Sequence, residues 1–279
     1  MPGDSLAFRD LEEGGAAVVG EHVDPETPNV ARMYDYYLGG KDNFAADREA
    51  AERIMKIMPH AAEWVRANRG FLARAVRLLS ESGIRQFIDI GTGLPTRESA
   101  HQVAGRMDAE SRVVYVDIDP VVVSHGRALL ATDERSTVIQ ADLRRPDDIL
   151  SHPETRALID FDRPVGLLLV AVLQFIPDDR EVSDVLTRLR AALAPGSHLV
   201  ISHITADEVA PAVAGEGREI YATTSLGSIT PRSPSQVATF FDGLELLEPG
   251  LVGVEHWRAA EPPAGDRVPL GFLGAVARR

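Results

Sequence analysis

The chain has 279 residues, no cysteine, a formal net charge of −13 and 44% apolar residues. That length allows one large α/β domain with an appendage, or at most two small domains. The lack of cysteine excludes disulfides, thiolate metal sites and cysteine nucleophiles, and with them cytosine C5-methylation. The acidic balance, with no dense Lys/Arg cluster, disfavours nucleic acid as a partner and favours a small or cationic molecule.

No apolar run approaches the length of a membrane span; Val165 to Ile176 reads as a buried strand and its exit. The amino terminus carries acids early and no basic-then-apolar segment, so a cytoplasmic location is expected. Residues 1–27 mix Gly, Ala, acids and Pro without periodicity and read as a mobile tail. Residues 28–84 read as a helical extension. Pro28-Asn29 leads into a short helical turn carrying Met33, Tyr34 and Tyr37, which Gly39-Gly40 breaks. A helix over 46–58 follows, with Ala50, Ile54 and Met58 at helical spacing. A second, over 61–82, places Phe71, Leu72, Ala75, Val76, Leu78 and Leu79 on one stripe, with Arg74 and Arg77 outside it and Gly83 as its stop.

From residue 85 to 279 strands alternate with helices, the pattern of a mostly parallel sheet. Strands are expected near 86–90, 112–117, 136–140, 165–171 and 197–203, and helices near 96–107, 120–131, 146–158 and 180–194. Pro120, Pro146 and Pro177 mark helix entries. An irregular stretch, Thr205 to Pro234, precedes a short helix near 235–241. Two terminal strands, Leu244 to Trp257 interrupted at Pro249-Gly250 and Pro269 to Ala277, add an antiparallel pair.

The chemistry gathers at strand ends. Asp89-Ile90-Gly91-Thr92-Gly93 closes the first strand with an acid and two glycines, which let a ligand approach the backbone closely. Asp117 closes the second strand where a carboxylate would accept from ribose hydroxyls, and Ile118 beside it joins the cofactor set. Asp119 precedes Pro120 and reads as the N-cap of the next helix. A dinucleotide fingerprint needs a third glycine where Thr96 stands behind Pro95, and Asp89 would repel a diphosphate while attracting an ammonium. These residues fit a cofactor with an amino-acid tail and no phosphate, S-adenosylmethionine. A nicotinamide oxidoreductase is disfavoured on the same grounds.

Asp89-Ile-Gly91-Thr-Gly93 resembles the first motif of class I S-adenosylmethionine-dependent methyltransferases. Asp117 matches their ribose-binding acid, and Gln140-Ala141-Asp142-Leu143 their adenine-contacting segment. Where many members carry a third glycine, this chain has Pro95, which stiffens the loop. The string Ala31-Arg-Met-Tyr34-Asp-Tyr-Tyr37-Leu-Gly-Gly40-Lys-Asp-Asn-Phe44-Ala-Ala-Asp47-Arg48 is similar to the opening signature of an actinobacterial S-adenosyl methyltransferase family long filed as a domain of unknown function. The resemblance implies a Rossmann-like fold, a mostly parallel seven-stranded sheet with a terminal antiparallel strand, and a methyltransferase domain over 85–279. Asp142 and Leu143 would then meet adenine, and Ala171 would lie nearest the sulfonium.

The acceptor side is less legible. Gln174 reads either as an amide that holds the acceptor or as a turn residue. His203, at the end of the fifth strand, reads as a general base or as a histidine satisfying loop backbone; His198 sits at the wrong edge. The Tyr34 to Phe44 segment is too polar and Gly-rich for a core helix. It reads as a lid or as a clamp, with Tyr36 and Asn43 as substrate contacts and Tyr37 as a further catalytic candidate. No Asn-Pro-Pro-Tyr string appears, and no metal ligand set is assigned. Methyl transfer needs mainly alignment and desolvation. The leading expectation is therefore methyl transfer to a small-molecule acceptor. The alternative is an S-adenosylmethionine-binding protein without transfer activity, a sensor or assembly partner.

Overall fold

The computed structural model describes residues 24–95, 98–130, 133–260 and 271–279. Three helices come first: α1 (Val30–Tyr37), α2 (Ala45–Ile57) and α3 (Ala61–Glu81). Alternation then runs β1 (Gln86–Ile90), α4 (Ala100–Met107), β2 (Arg112–Asp117), α5 (Pro120–Leu129), β3 (Ser136–Gln140), α6 (Pro146–Ser151), α7 (Pro153–Leu158) and β4 (Gly166–Val170). A 3-10 turn (Leu173–Phe175) leads to α8 (Asp179–Ala192), β5 (His198–Ile204), α9 (Pro211–Ala222) and α10 (Pro234–Thr239). The two-residue strands β6 (Glu245–Leu246) and β7 (Val252–Gly253) and the long β8 (Phe272–Arg278) complete the described elements.

The sheet order is β3-β2-β1-β4-β5-β8-β6, with β7 also pairing β8. Strands β1 to β5 are parallel, and β8 runs antiparallel to β5 over seven residue pairs. This is the mostly parallel, Rossmann-like sheet expected, with β7 as an eighth strand. Because both faces are covered, the strands read as continuous apolar runs, and alternate residues fill two cores. On one face Phe87, Val113, Leu168, Val200 and Val276 pack with Phe71, Leu72, Val76 and Leu79 of α3. On the other, Ile88, Val114, Leu167, Leu169 and Ile201 pack with Ile149 of α6 and Val182, Val185 and Leu189 of α8.

Local departures from expectation have local causes. The helix read over 146–158 breaks at His152, where Pro153 cannot continue the backbone ladder and starts α7. The stretch read as irregular from 205 to 234 contains α9, whose small residues and two glycines hide its period. Within Leu244 to Trp257 only four residues pair with β8. Trp257 is instead buried edge-on to Phe71, at 5.2 Å between ring centroids. Arg74 is no solvent-facing residue: its guanidinium donates to the Trp257 and Val254 carbonyl oxygens at 2.7 and 2.5 Å. Of the expected tail, Asp24 and Thr27 accept through their carbonyls from Arg32 Nη2. Residues 1–23, Thr96 and the start of the last strand at Pro269 lie outside the described residues.

Among the described residues no helix is long and apolar enough to cross a membrane. Nor is any group of three or more His, Asp or Glu placed to hold a metal ion.

Candidate functional site

The carboxyl ends of β1, β2, β3 and β4 lie side by side, and the order reverses between β1 and β4, the crevice where open parallel sheets take ligands. The Gly91 and Thr92 N–H groups donate to the Val116 carbonyl oxygen at 2.8 and 3.3 Å, so the glycine loop is pinned to β2. Gly91 has φ +74°, and a Cβ there would meet Val172 Cγ2 at 2.3 Å. Gly93 has φ +65° and faces open space. One glycine is required by the protein's own packing, the other by a turn that borders the crevice.

Asp117 ends β2 and is buried. Its Oδ2 accepts from the Gly93 N–H at 2.9 Å and its Oδ1 from the Asp119 N–H at 3.0 Å. Each oxygen keeps a further lone pair, which is what two ribose hydroxyls would use. Burial, reinforced by the charge of Asp119, pushes the Asp117 carboxyl up to about 6 against the nearby backbone N–H groups. Asp89, in β1, is likewise pushed up to about 6. Burial is the main cause and Asp117 adds to it, while Arg69 of α3 and a hydrogen bond from Thr92 oppose. Two such carboxylates make the crevice a place for a cation. Ile118 is 41% exposed, an apolar side chain presented at the strand end where a flat ring would stack.

At the end of β3, Asp142 takes its Arg144 neighbour bidentately: Nε reaches both oxygens at 3.0 Å and Nη2 reaches Oδ2 at 2.7 Å. Burial would raise this carboxyl, but Arg144 outweighs it and holds it below the ordinary range. Leu143 is buried beside it. At the end of β4, Ala171 has φ +58°, a left-handed backbone without glycine's freedom, which costs on the order of 1 kcal/mol. Its N–H donates to the Ser202 carbonyl oxygen at 3.1 Å.

Ser202 opens a relay that sequence reading missed. Its Oγ donates to Asn68 Oδ1 at 2.6 Å, and Asn68 Nδ2 donates to the Tyr34 hydroxyl at 3.0 Å. Thus β5, α3 and α1 are joined by buried and partly buried side chains beside Ala171. Arg69 was also missed, because a lone arginine in an amphipathic helix looks like any other. Asn29 was read only as part of a helix start.

The acceptor-side candidates fare differently. His203 is fully buried, with Nδ1 2.8 Å from the Ile204 carbonyl oxygen and Nε2 3.0 Å from Arg232 Nη1. Burial, helped by Arg232, pushes the ring down to about 4. Both ring nitrogens are engaged within the protein. Gln174 is buried in the 3-10 turn, its Oε1 accepting from the Ile204 N–H at 3.3 Å. Asn43 Nδ2 donates to Asp35 Oδ2 at 2.8 Å and the Gly40 carbonyl oxygen at 3.2 Å, while its Oδ1 accepts from Arg48 at 3.2 Å. Each of these amides thus makes hydrogen bonds within the protein. Tyr36 donates to Glu52 Oε1 at 2.9 Å at the surface. Tyr37 is buried beside Tyr221, outside good hydrogen-bond geometry, and burial above all raises its hydroxyl well beyond 10. The Tyr34 to Phe44 segment is internally tied, with Met33 and Tyr37 in the core and the buried Arg32–Asp47 ion pair at 2.7 Å.

A mostly parallel Rossmann-like sheet of this strand order, closed by an antiparallel carboxyl-terminal strand, is the class I methyltransferase fold. A family model described as S-adenosyl methyltransferase matches residues 16–279, and the chain belongs to that family. Two solved structures are similar over nearly the whole chain. A candidate methyltransferase from Thermobifida fusca is 42% identical, with 91% of this chain and 96% of that one covered and a TM-score of 0.85. A DUF574 family protein from Streptomyces avermitilis is 41% identical, with 92% and 99% covered and a TM-score of 0.86. No curated protein matches the chain. S-adenosylmethionine is the cofactor of this enzyme family.

Proposed function

We propose that this enzyme transfers the cofactor's methyl group to a small molecule. Gly91, Thr92 and Gly93 would line the methionine portion, with Asp89 attracting its ammonium. Asp117 would take the ribose, Ile118 would stack on adenine, and Asp142 with Leu143 would meet the ring edge. The acceptor would approach the sulfonium methyl near Ala171, between the 3-10 turn and the helices α1 and α3 of the amino-terminal extension. The observation that carries this reading is the pairing of Gly93 with Asp117 at 2.9 Å. It holds the glycine loop and the ribose-type acid in one rigid edge while leaving lone pairs for a ligand.

With His203 engaged, the chain's contribution to the reaction is alignment and exclusion of water, worth several kcal/mol without any proton transfer by the protein. An acceptor that is already nucleophilic suits such a site. The acidic chain and the carboxylates Asp89 and Asp117 favour one that is neutral or cationic.

Calorimetry with S-adenosylmethionine and S-adenosylhomocysteine tests the cofactor site; affinities in the micromolar class, about −8 kcal/mol, are expected. Methyl-labelled cofactor incubated with a cell extract tests the acceptor. Label in the small-molecule fraction supports the proposal, and label confined to protein or nucleic acid overturns it.

A further inference from the structure

Three segments far apart in sequence converge on the loop that follows β2. Asn29 Nδ2 donates to Asp119 Oδ2 at 2.5 Å and to Ser225 Oγ at 3.1 Å. The Ser225 N–H donates to the Pro28 carbonyl oxygen at 2.9 Å. Ser225 follows α9, so the start of α1, the end of β2 and the segment after α9 share one knot. The partners are separated by 90 and 196 residues.

We propose that Asn29 is a positioning residue for the cofactor: its amide closes this knot over the ribose end of the crevice and, through Asp119, sets the Asp117 carboxylate. The side chain is suited to that work by how its groups divide. Asn29 Oδ1 caps α1 by accepting from the Arg32 N–H at 3.1 Å, which leaves both amide hydrogens for the knot. Its own N–H is anchored on Asp47 Oδ1 at 2.7 Å, so the residue is held from behind. Asp119 divides in the same way. Its Oδ1 caps α5 through the Val121 N–H at 2.7 Å, its Oδ2 faces Asn29, and its backbone N–H orients Asp117. From the Asn29 amide to the Asp117 carboxylate there are two direct hydrogen-bond links.

The rim has a ligand-facing character as well. Ile118 and Leu226, next in sequence to Asp119 and Ser225, are large apolar side chains left 41% and 39% exposed. Nothing covalent joins the three segments at this rim. The knot can therefore part without unfolding an element, and cofactor exchange then proceeds at the rate at which these hydrogen bonds open.

The inference rests on Asp117 being the ribose acceptor, and the test separates the two. Dissociation of S-adenosylhomocysteine is followed by stopped flow for the full chain and for Asn29→Ser, Ser225→Ala and Asp117→Asn. Serine keeps the α1 cap but cannot span to Asp119 and Ser225. Asn29→Ser should speed dissociation about tenfold, and Ser225→Ala about threefold, with unfolding midpoints near that of the parent. Hydrogen exchange at 28–31 and 223–227 should slow on binding in the parent and much less in Asn29→Ser. If Asp117→Asn leaves binding and dissociation unchanged, the reading of the crevice fails and this inference with it. If Asp117→Asn weakens binding while Asn29→Ser and Ser225→Ala release ligand like the parent, the inference alone is overturned. Should Asn29→Ser not fold, Ser225→Ala, which touches no helix cap, decides by the same readings.

Discussion

Arg232 Nη1 lies 3.0 Å from His203 Nε2, in a guanidinium that also reaches Asp179 Oδ1 at 2.7 Å and the Ile176 carbonyl oxygen at 2.8 Å. A guanidinium only donates, so Nε2 accepts, Nδ1–H donates to the Ile204 carbonyl, and the ring is neutral. The pair fastens the turn after β4 to the end of β5 and to the amino terminus of α8. His203→Asn should therefore lower unfolding stability by about 1–3 kcal/mol while changing S-adenosylhomocysteine affinity less than about twofold. Urea denaturation and calorimetry on one preparation check both halves. The neutral native ring also means that the unfolded chain binds the extra proton between about pH 4 and 6.5. This group's contribution thus falls as acid is added through that window, and the loss should be absent in the variant.

Gly91 and Gly93 should separate under the same substitution. Gly91→Ala drives a Cβ into Val172 as well as straining a positive φ, and should cost at least about 3 kcal/mol of stability. Gly93→Ala meets nothing in the protein and should cost only about 1 kcal/mol. Its added methyl borders the crevice, so its effect should fall on cofactor affinity. Thermal melts with and without S-adenosylhomocysteine distinguish them. A Gly93→Ala protein that binds normally would place the ligand elsewhere.

Asp117→Ala should weaken S-adenosylmethionine binding by about 1.5–3 kcal/mol, because hydrogen bonds to a charged acceptor are lost. Asp142→Ala should cost less, about 1 kcal/mol, since Arg144 already occupies much of that carboxylate. Titration calorimetry of the two variants gives the order directly.

Binding should also move protons. Asp89 and Asp117 titrate near 6 in the free protein, above the ordinary carboxylate value. Between about pH 4 and 6 the free native state therefore holds protons that a bound sulfonium and ammonium would expel. Affinity for S-adenosylmethionine should rise with pH through that window, by at most about tenfold per unit for each proton released, and level off above about pH 7. Calorimetry at pH 5.5 in two buffers of different ionisation heat measures the protons. Equal heats in both would mean that neither acid faces the cationic ligand.

Much of the frame was readable because its signals are local. The first three strands run from 86 to 90, 112 to 117 and 136 to 140 as expected, since each is a short segment rich in β-branched or aromatic residues with an acid or amide at or beside its end. Asp119 proved to be the cap of α5, as a carboxylate before Pro120 should. What escaped reading depends on partners distant in sequence. Nothing near Asn29 announces Ser225, and nothing near Asn68 announces Ser202 and Tyr34. The polarity and glycines of the Tyr34 to Phe44 segment read as either a lid or a clamp. Its buried acid is used internally, Asp35 accepting from the Asp42 N–H and from Asn43 Nδ2. A buried ion pair and a solvated one are written with the same letters.

Strand β8 follows every other strand in sequence, yet it lies inside the sheet between β5 and β6. During synthesis β5 must wait with an open, apolar edge until this later segment leaves the ribosome, and β6 and β7 have no sheet to join before then. The enzyme therefore cannot finish assembling piecemeal from its amino terminus. The carboxyl ends of β1, β2 and β3, by contrast, belong to strands made much earlier, and none of the three pairs with the closing strand.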